Sequence, residues 1–308
     1  MRITTAARLV VLLCCAAATA GAQQRLPTRD SLLVSTSWLA AHYRDPDVVL
    51  LHIGDPASYA KSHIPGARFA AASEMSVSDH SDHGLMLEMP SARSLRDSLA
   101  ALGISDNSTI VVYFAKDWVT PSTRVVFTLD YAGLGARTRL LDGGMDAWIH
   151  DGHEVTDAVT PAHTGRLSAL KIEPIVVTAD YVRAHLGKPS VSVVDGRASS
   201  FYDGVQTPNG QRTGHIAGAK SVPFTEITDD ALHLKSADAL AALFTRAGVA
   251  PGDTVIGYCH IGQQATGMLF AARLTGHPVL LYDGSFQDWS RHADFPVDNP
   301  SANHGGKP

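Results

Sequence analysis

PIVVTADYVRAHLGKPSVSVVDGR, residues 174–197, and LLVSTSWLAAHYRDPDVVLLHIGD, residues 32–55, are one pattern written twice. Each reads as a short strand, a Ser or Thr helix cap (Ser35 or Thr178), an amphipathic helix, a turn and an apolar strand. The register is constant, because Ser35 to Thr178 and Leu51 to Val194 are both steps of 143 positions. Three more pairs follow in the same order: KSHIPGARF (61–69) with TGHIAGAKS (213–221), LAALGISDNSTIVVYF (99–114) with FTRAGVAPGDTVIGYC (244–259), and LLDGGMDAW (140–148) with LLYDGSFQDW (280–289). The chain is therefore two tandem copies of one α/β unit of about 130 residues. Apolar strands alternating with helices predict in each copy a mostly parallel central sheet flanked by helices. In such sheets ligands sit beyond the carboxyl ends of the strands.

The rest of the chain frames this repeat. With 308 residues and 45% hydrophobic content, it is long enough for two cores, which excludes disordered and fibrous classes. Arg2 and Arg8, the apolar run Leu9–Ala20 and the small residues Ala20 and Ala22 predict a signal peptide over 1–22 and export, to the periplasm, by cleavage. A lipid anchor at Cys14 or Cys15 fits poorly, since Leu13 or Cys14 would stand where a small residue is wanted. Cleavage leaves Cys259 as the sole cysteine and moves the net charge from −5 to −7. That acidity argues against nucleic acid or an anionic membrane as partner. The expected organisation is a first copy over 23–155, a polar linker over 156–173, a second copy over 174–298 and a flexible tail over 299–308.

The second copy carries VIGYCHIGQQATGMLFAARLTGH (255–277): an apolar strand ends at Tyr258, Cys259 follows at once, and a helix is expected to begin near Ala265. Gly262 permits a sharp reversal, and the helix start supplies free N–H groups and a positive dipole end. A thiol there is expected to have its pKa lowered into the reactive range, and the same N–H groups suit an anionic substrate. Free cysteines are commonly buried small hydrophobes. Here the strand-to-helix position, the glycine three residues on and the absence of any other mature cysteine favour a nucleophile. The first copy has Phe114 at this place and a longer loop, AKDWVTPSTR, so it is expected to support or position rather than react.

VVDGR (193–197), GHIAGA (214–219) with its partner SHIPGA (62–67), YCHIGQQA (258–265) and YDGSFQDW (282–289) resemble the tandem-domain rhodanese-type sulfurtransferases over nearly all of the mature chain. The resemblance implies an inactive first copy, an active site between the copies and a ping-pong cycle needing no cofactor. In it the Cys259 thiolate takes the outer sulfur of thiosulfate, sulfite leaves, and the persulfide passes to a thiophile such as cyanide or a thiol. It further implies that Arg197 contacts the anionic donor, with an ordinary surface ion pair as the plainer alternative. Asp195 supports the loop, and Tyr258 and Trp289 pack.

The loop matches neither well-known donor type. Thiosulfate-preferring relatives carry two cationic residues near the cysteine, where this chain has His260 and Ile261. Mercaptopyruvate-preferring relatives carry Gly-Ser there, joined to a first-domain aspartate and histidine; Asp55 and His63 fit those places, but Ile261 has no hydroxyl. A further arginine of the family falls on Phe201. Thiosulfate is the favoured donor, held by backbone N–H groups, Arg197, a partly cationic His260 and neutral donors from Gln263 and Gln264 beside Gly262. The alternatives are a 3-mercaptopyruvate sulfurtransferase, or a persulfide carrier or sensor that hands sulfur to a partner protein. A phosphatase of this fold would need an arginine where Ala265 stands. Asp79, His80, Asp82 and His83 are metal-ligand types at a spacing that matches no closed zinc pattern, so they read as a polar loop on the first copy, at the domain interface.

Overall fold

The computed structural model describes residues 28–115, 118–161, 163–208 and 210–303; the segment read as a signal peptide lies outside them. In the first copy the strands are β1 (Leu33–Val34), β2 (Val48–Ile53), β3 (Arg68–Phe69), β4 (Thr109–Phe114) and β5 (Thr138–Leu141). The second copy has β6 (Val176–Val177), β7 (Val191–Asp195), β8 (His215–Ile216), β9 (Lys220–Ser221), β10 (Thr254–Tyr258), β11 (Val279–Tyr282) and β12 (Val297–Asp298). The two sheets run in the orders β1-β5-β4-β2-β3 and β6-β11-β10-β7-β9, every pairing parallel, and β8 and β12 form a small antiparallel ribbon. The orders are equivalent strand by strand, as the repeat predicts. Ser35 and Thr178 cap their helices through bonds from Trp38 N (3.1 Å) and Tyr181 N (3.3 Å).

The copies meet through two equivalent helices, Thr120–Tyr131 and Gln263–Leu274. Each is buried on nearly every side, because one face covers its own sheet and the other covers its counterpart. Gly267 makes the approach close: a Cβ there would lie 2.9 Å from Thr120 Cγ2 and 3.2 Å from Ile227 Cδ1. Thr123 Oγ1 and Thr266 Oγ1 touch across the seam at 3.1 Å, and Arg273 pairs with Asp130. Val125 and Phe127 of one copy and Leu269 and Phe270 of the other fall in a single apolar cluster.

The connection between copies lies on the first one. Thr156 bridges His63, Gly165 N donates to Ala100 O (2.8 Å) and Ser168 N donates to Asp106 Oδ1 (2.8 Å). The expected tail differs at its start: Ser301 donates to Asp203 O through its N–H (3.0 Å) and to Gly204 O through its hydroxyl (2.7 Å). These bonds dock the turn Pro300–Asn303 against the second copy.

Candidate active site

Cys259 stands directly past the carboxyl end of β10, in the centre of its sheet. The helix begins at Gln263, two residues earlier than expected, after Gly262 at φ +82°. This tight turn aims the N–H groups of Ala265, Ile261 and Gln264 at the sulfur. The loop is tied down from behind: Cys259 N donates to Ser285 Oγ (3.1 Å), while Cys259 O and His260 O accept from Phe286 N (2.9 Å) and Gln287 N (3.0 Å). Ser285 adopts φ +52°, a conformation that costs a non-glycine residue free energy and is held here by its bonds to Cys259 and to Tyr282 O (2.9 Å).

The electrostatics differ from expectation at three residues. Cys259 is 0% exposed, and burial pushes its thiol up from the ordinary value; the Ala265, Ile261 and Gln264 amides oppose that shift without overcoming it. The amides are written into the loop but the depth of the sulfur is not, and desolvation is the larger effect. His260 is neutral at pH 7, because burial and then the Arg197 charge lower its pKa to about 4. Its ring stands edge-on to Phe201 at 4.5 Å, with Nδ1 buried and without a partner among the described residues.

Arg197 is neither a surface ion pair nor an open anion clamp. It is 1% exposed, and it donates through Nε to both oxygens of Asp195 (3.0 Å each) and through Nη2 to Asp195 Oδ2 (2.6 Å) and Gly214 O (2.8 Å). Burial favours loss of its proton, but Asp195 outweighs that and holds the guanidinium charged, 4.3 Å over the Phe286 ring. Asp195 thus supports the loop base, accepting from Arg197 N (2.9 Å) as well. The first copy has His52 and Gly54 where Asp195 and Arg197 stand, 143 positions on, so it lacks the ion pair as well as the nucleophile.

Gln263 and Gln264 open the helix that follows the turn: Gln264 Oε1 is buried with no hydrogen-bond partner among the described residues, and Gln263 O accepts from the Thr266 hydroxyl (2.6 Å). By contrast, the first-copy residues proposed for a relay are engaged elsewhere. Asp55 caps the helix Pro56–Lys61 through Ser58 N (2.8 Å), and His63 binds Tyr59 O (2.7 Å) and Ala158 O (3.1 Å).

What sequence reasoning missed is a contact from the first copy to the turn itself. Arg124 is 2% exposed and donates to Asp283 Oδ1 (2.6 Å), Gly262 O (3.4 Å) and Leu87 O. Asp283 also receives Met89 N at Oδ2 (2.7 Å). A Cβ on Gly262 would come within 3.0 Å of Arg124 Nη1 and of Asp283, so the turn needs glycine for space as well as for φ. The loop holding Asp79, His80, Asp82 and His83 leads into this contact, and Arg291 fastens it by donating to His83 O and Gly84 O (2.6 Å each). Among the described residues no group of three metal-ligating side chains comes together.

Glu88 lies beside the clamp with Oε1 buried and without a partner among the described residues, facing Asp283, Arg124, Asp288 and Tyr282. Burial, and then repulsion from Asp283, raises its pKa from 4.5 to about 7. Below pH 4.5 the carboxyl is protonated in folded and unfolded chains alike. Between 4.5 and 7 the folded chain alone keeps the proton, so stability falls as pH rises through that window. Glu88→Gln is therefore expected to raise Tm more at pH 8 than at pH 5; equal shifts at the two pH values would refute this linkage.

Comparison with known proteins agrees with the internal repeat. Residues 35–151 and 178–292 each match the rhodanese-like domain. The chain is 30% identical over 272 residues to a thiosulfate sulfurtransferase of Pseudomonas aeruginosa, covering 87% of this chain and 97% of that one. It is 28% identical to the sulfur carrier protein TtuD of Thermus thermophilus (86% and 96%) and 28% identical to a 3-mercaptopyruvate sulfurtransferase of Escherichia coli (86% and 97%). A crystal structure of YnjE superposes with a TM-score of 0.78 at 25% identity, over 90% of this chain and 70% of that one. Matched twice, over the same spans that its own sequence repeats, this chain belongs to the rhodanese-like family as a tandem pair with its cysteine in the second copy.

Proposed function

We propose that this sulfurtransferase takes its sulfur from thiosulfate and carries it as a persulfide on Cys259. The observation that carries the reading is the ring of three backbone N–H groups at the sulfur, on a loop whose His260 Nδ1 and Gln264 Oε1 are buried without a partner among the described residues. A small dianion with no proton to relay suits such a set, and rotating the Gln264 amide presents its NH2 group instead of Oε1. The neutral imidazole supplies a hydrogen bond rather than a charge, so the anion is held chiefly by amides, with the Arg197–Asp195 pair fixing the loop base. Mercaptopyruvate is the weaker reading, because Asp55 and His63 are bonded within the first copy and Ile261 supplies no hydroxyl.

In the cycle, the Cys259 thiol gives up its proton, its sulfur attacks the outer sulfur of thiosulfate, the S–S bond of the donor breaks, and sulfite leaves with the bonding pair and carries the proton away as hydrogensulfite. The persulfide anion then occupies the amide ring. A thiophilic acceptor such as cyanide or a thiol removes the outer sulfur and restores Cys259. A protein-to-protein carrier is disfavoured by the 0% exposure of the sulfur, which a small acceptor reaches more readily than a folded partner. The activity is further proposed to operate after export in the periplasm, on the strength of the N-terminal sequence pattern alone. Among the described residues no helix is long and apolar enough to cross a membrane.

The test is a side-by-side assay of the chain from residue 23 onward with thiosulfate or 3-mercaptopyruvate as donor and cyanide as acceptor. Higher kcat/KM with thiosulfate is expected, with one sulfite released per chain in the first turnover. Preference for mercaptopyruvate would sink the donor assignment and leave the persulfide chemistry intact.

A further inference from the structure

Trp118 is 43% exposed, unusual for the largest aromatic side chain, and it sits at the strand-end loop of the first copy. It faces Phe224 of the second copy, with ring centroids 5.8 Å apart at 56°. With Thr228, Leu232, Asp229 and Asp230 these rings line a groove of 620 Å³, within the size range of small-ligand sites. The groove is linked through one backbone step to the strand that ends at Cys259. Phe224 N donates to Gly196 O (3.0 Å), and Gly196 N donates to Tyr258 O (2.8 Å), one residue before Cys259. Its neighbours Thr120 and Ile227 both rest on Gly267, in the helix that follows the loop.

The chemistry of the groove is opposite to that of the amide ring. Among the described residues lining it there is no lysine, arginine or histidine. Asp229 Oδ1 accepts from Ala231 N (3.0 Å) and His233 N (2.9 Å) and lies 3.8 Å from the His233 ring; its Oδ2 and the Asp230 carboxylate have no partner among the described residues. Aromatic faces and exposed carboxylates attract a cation and repel an anion. The two half-reactions thus meet two different fields, an amide ring at the sulfur and an acidic aromatic groove beside it.

We propose that this groove is the acceptor subsite and that it selects thiols bearing a positive charge on a short apolar body, that is, aminothiols. The inference rests on the sulfurtransferase reading above. The acceptor thiol gives its proton to solvent, and the lone pair of the resulting thiolate forms a bond to the outer sulfur of the Cys259 persulfide. The Sγ–S bond breaks, its electron pair returns to Sγ, and the product leaves as the acceptor's own persulfide. No oxidant or reductant enters. The ammonium group meanwhile sits between Trp118 and the carboxylates.

The test compares cysteamine, 2-mercaptoethanol and 3-mercaptopropionate, which differ in charge at similar size, as acceptors from Cys259 persulfide loaded with inorganic polysulfide. Intrinsic thiol reactivity cancels when the same series is run on variants. The cysteamine to 3-mercaptopropionate ratio of kcat/KM is expected to fall about five- to tenfold in Asp229→Asn/Asp230→Asn and in Trp118→Leu, with sulfite release from thiosulfate unchanged. A ratio that stays the same in both variants overturns the proposal. Polysulfide loading separates the readings, since failure of thiosulfate alone removes the donor assignment and leaves this ratio measurable. If Cys259 takes sulfur from neither source, the groove is read by binding of the unreactive cation 2-(methylthio)ethylamine. Quenching of tryptophan fluorescence that Trp118→Leu abolishes supports the site, and no quenching overturns it.

Discussion

Cys259→Ser is expected to lower sulfane-sulfur transfer by about four orders of magnitude or more while moving Tm by only a few degrees. Serine is nearly isosteric, and the amides of Ala265, Ile261 and Gln264 that face the sulfur offer hydrogen bonds to a hydroxyl in the same place. The fold therefore has little reason to change. The chemistry does, because an alcohol cannot accept and release a sulfane sulfur, and the one sulfite expected per chain in a single turnover should vanish. Retention of turnover would end the covalent mechanism and return the site to simple binding of donor beside acceptor. Measuring Tm on the same preparation separates loss of chemistry from loss of fold.

Arg124→Met should have the next largest effect, on stability and turnover together. The Arg124–Asp283 pair has side chains only 3% and 5% exposed, so removing the cation strands a carboxylate beside Glu88. Breaking one side of such a pair costs about 3–5 kcal/mol, whereas replacing both sides by apolar groups of like volume is often close to neutral. Arg124→Met/Asp283→Leu is accordingly expected to regain most of the lost Tm. Turnover should stay low in both variants, because Gly262 O loses its donor from the first copy in each, and in the double variant Met89 N loses its acceptor as well. A double variant with full activity would show that the clamp serves stability alone.

The architecture was legible because its signals are local and repeated. Caps at Ser35 and Thr178, the left-handed Gly262 and the apolar strand ending at Tyr258 each follow from a few neighbouring residues. The place of Cys259 past the strand end followed from the same logic. The clamp was not legible, since Arg124 lies 138 positions from Gly262 and 159 from Asp283, and an arginine within TPSTR carries no mark of its partner. Arg197 was read as a contact to the anionic donor, whereas its engagement by Asp195 depends on burial that DGR alone does not encode. The charges of Cys259 and His260 failed for a related reason: amide donors are countable from a loop, whereas the depth of a side chain is a property of everything packed around it.

Thr123 and Thr266 are 143 positions apart, the step that relates the helices Thr120–Tyr131 and Gln263–Leu274, so each meets its own counterpart and an approximate twofold axis passes between them. Arg273 and Asp130 are separated by the same 143 positions and also meet. Two identical subunits facing each other across an axis have to place like against like there, and threonine tolerates this. Arginine against aspartate does not arise between identical subunits at such a position; it requires that the partners be encoded separately. Joining both halves in one chain therefore lets a self-facing contact become a directed one, with acid on one side and base on the other. The same freedom lets one half keep the thiol while the other holds the turn.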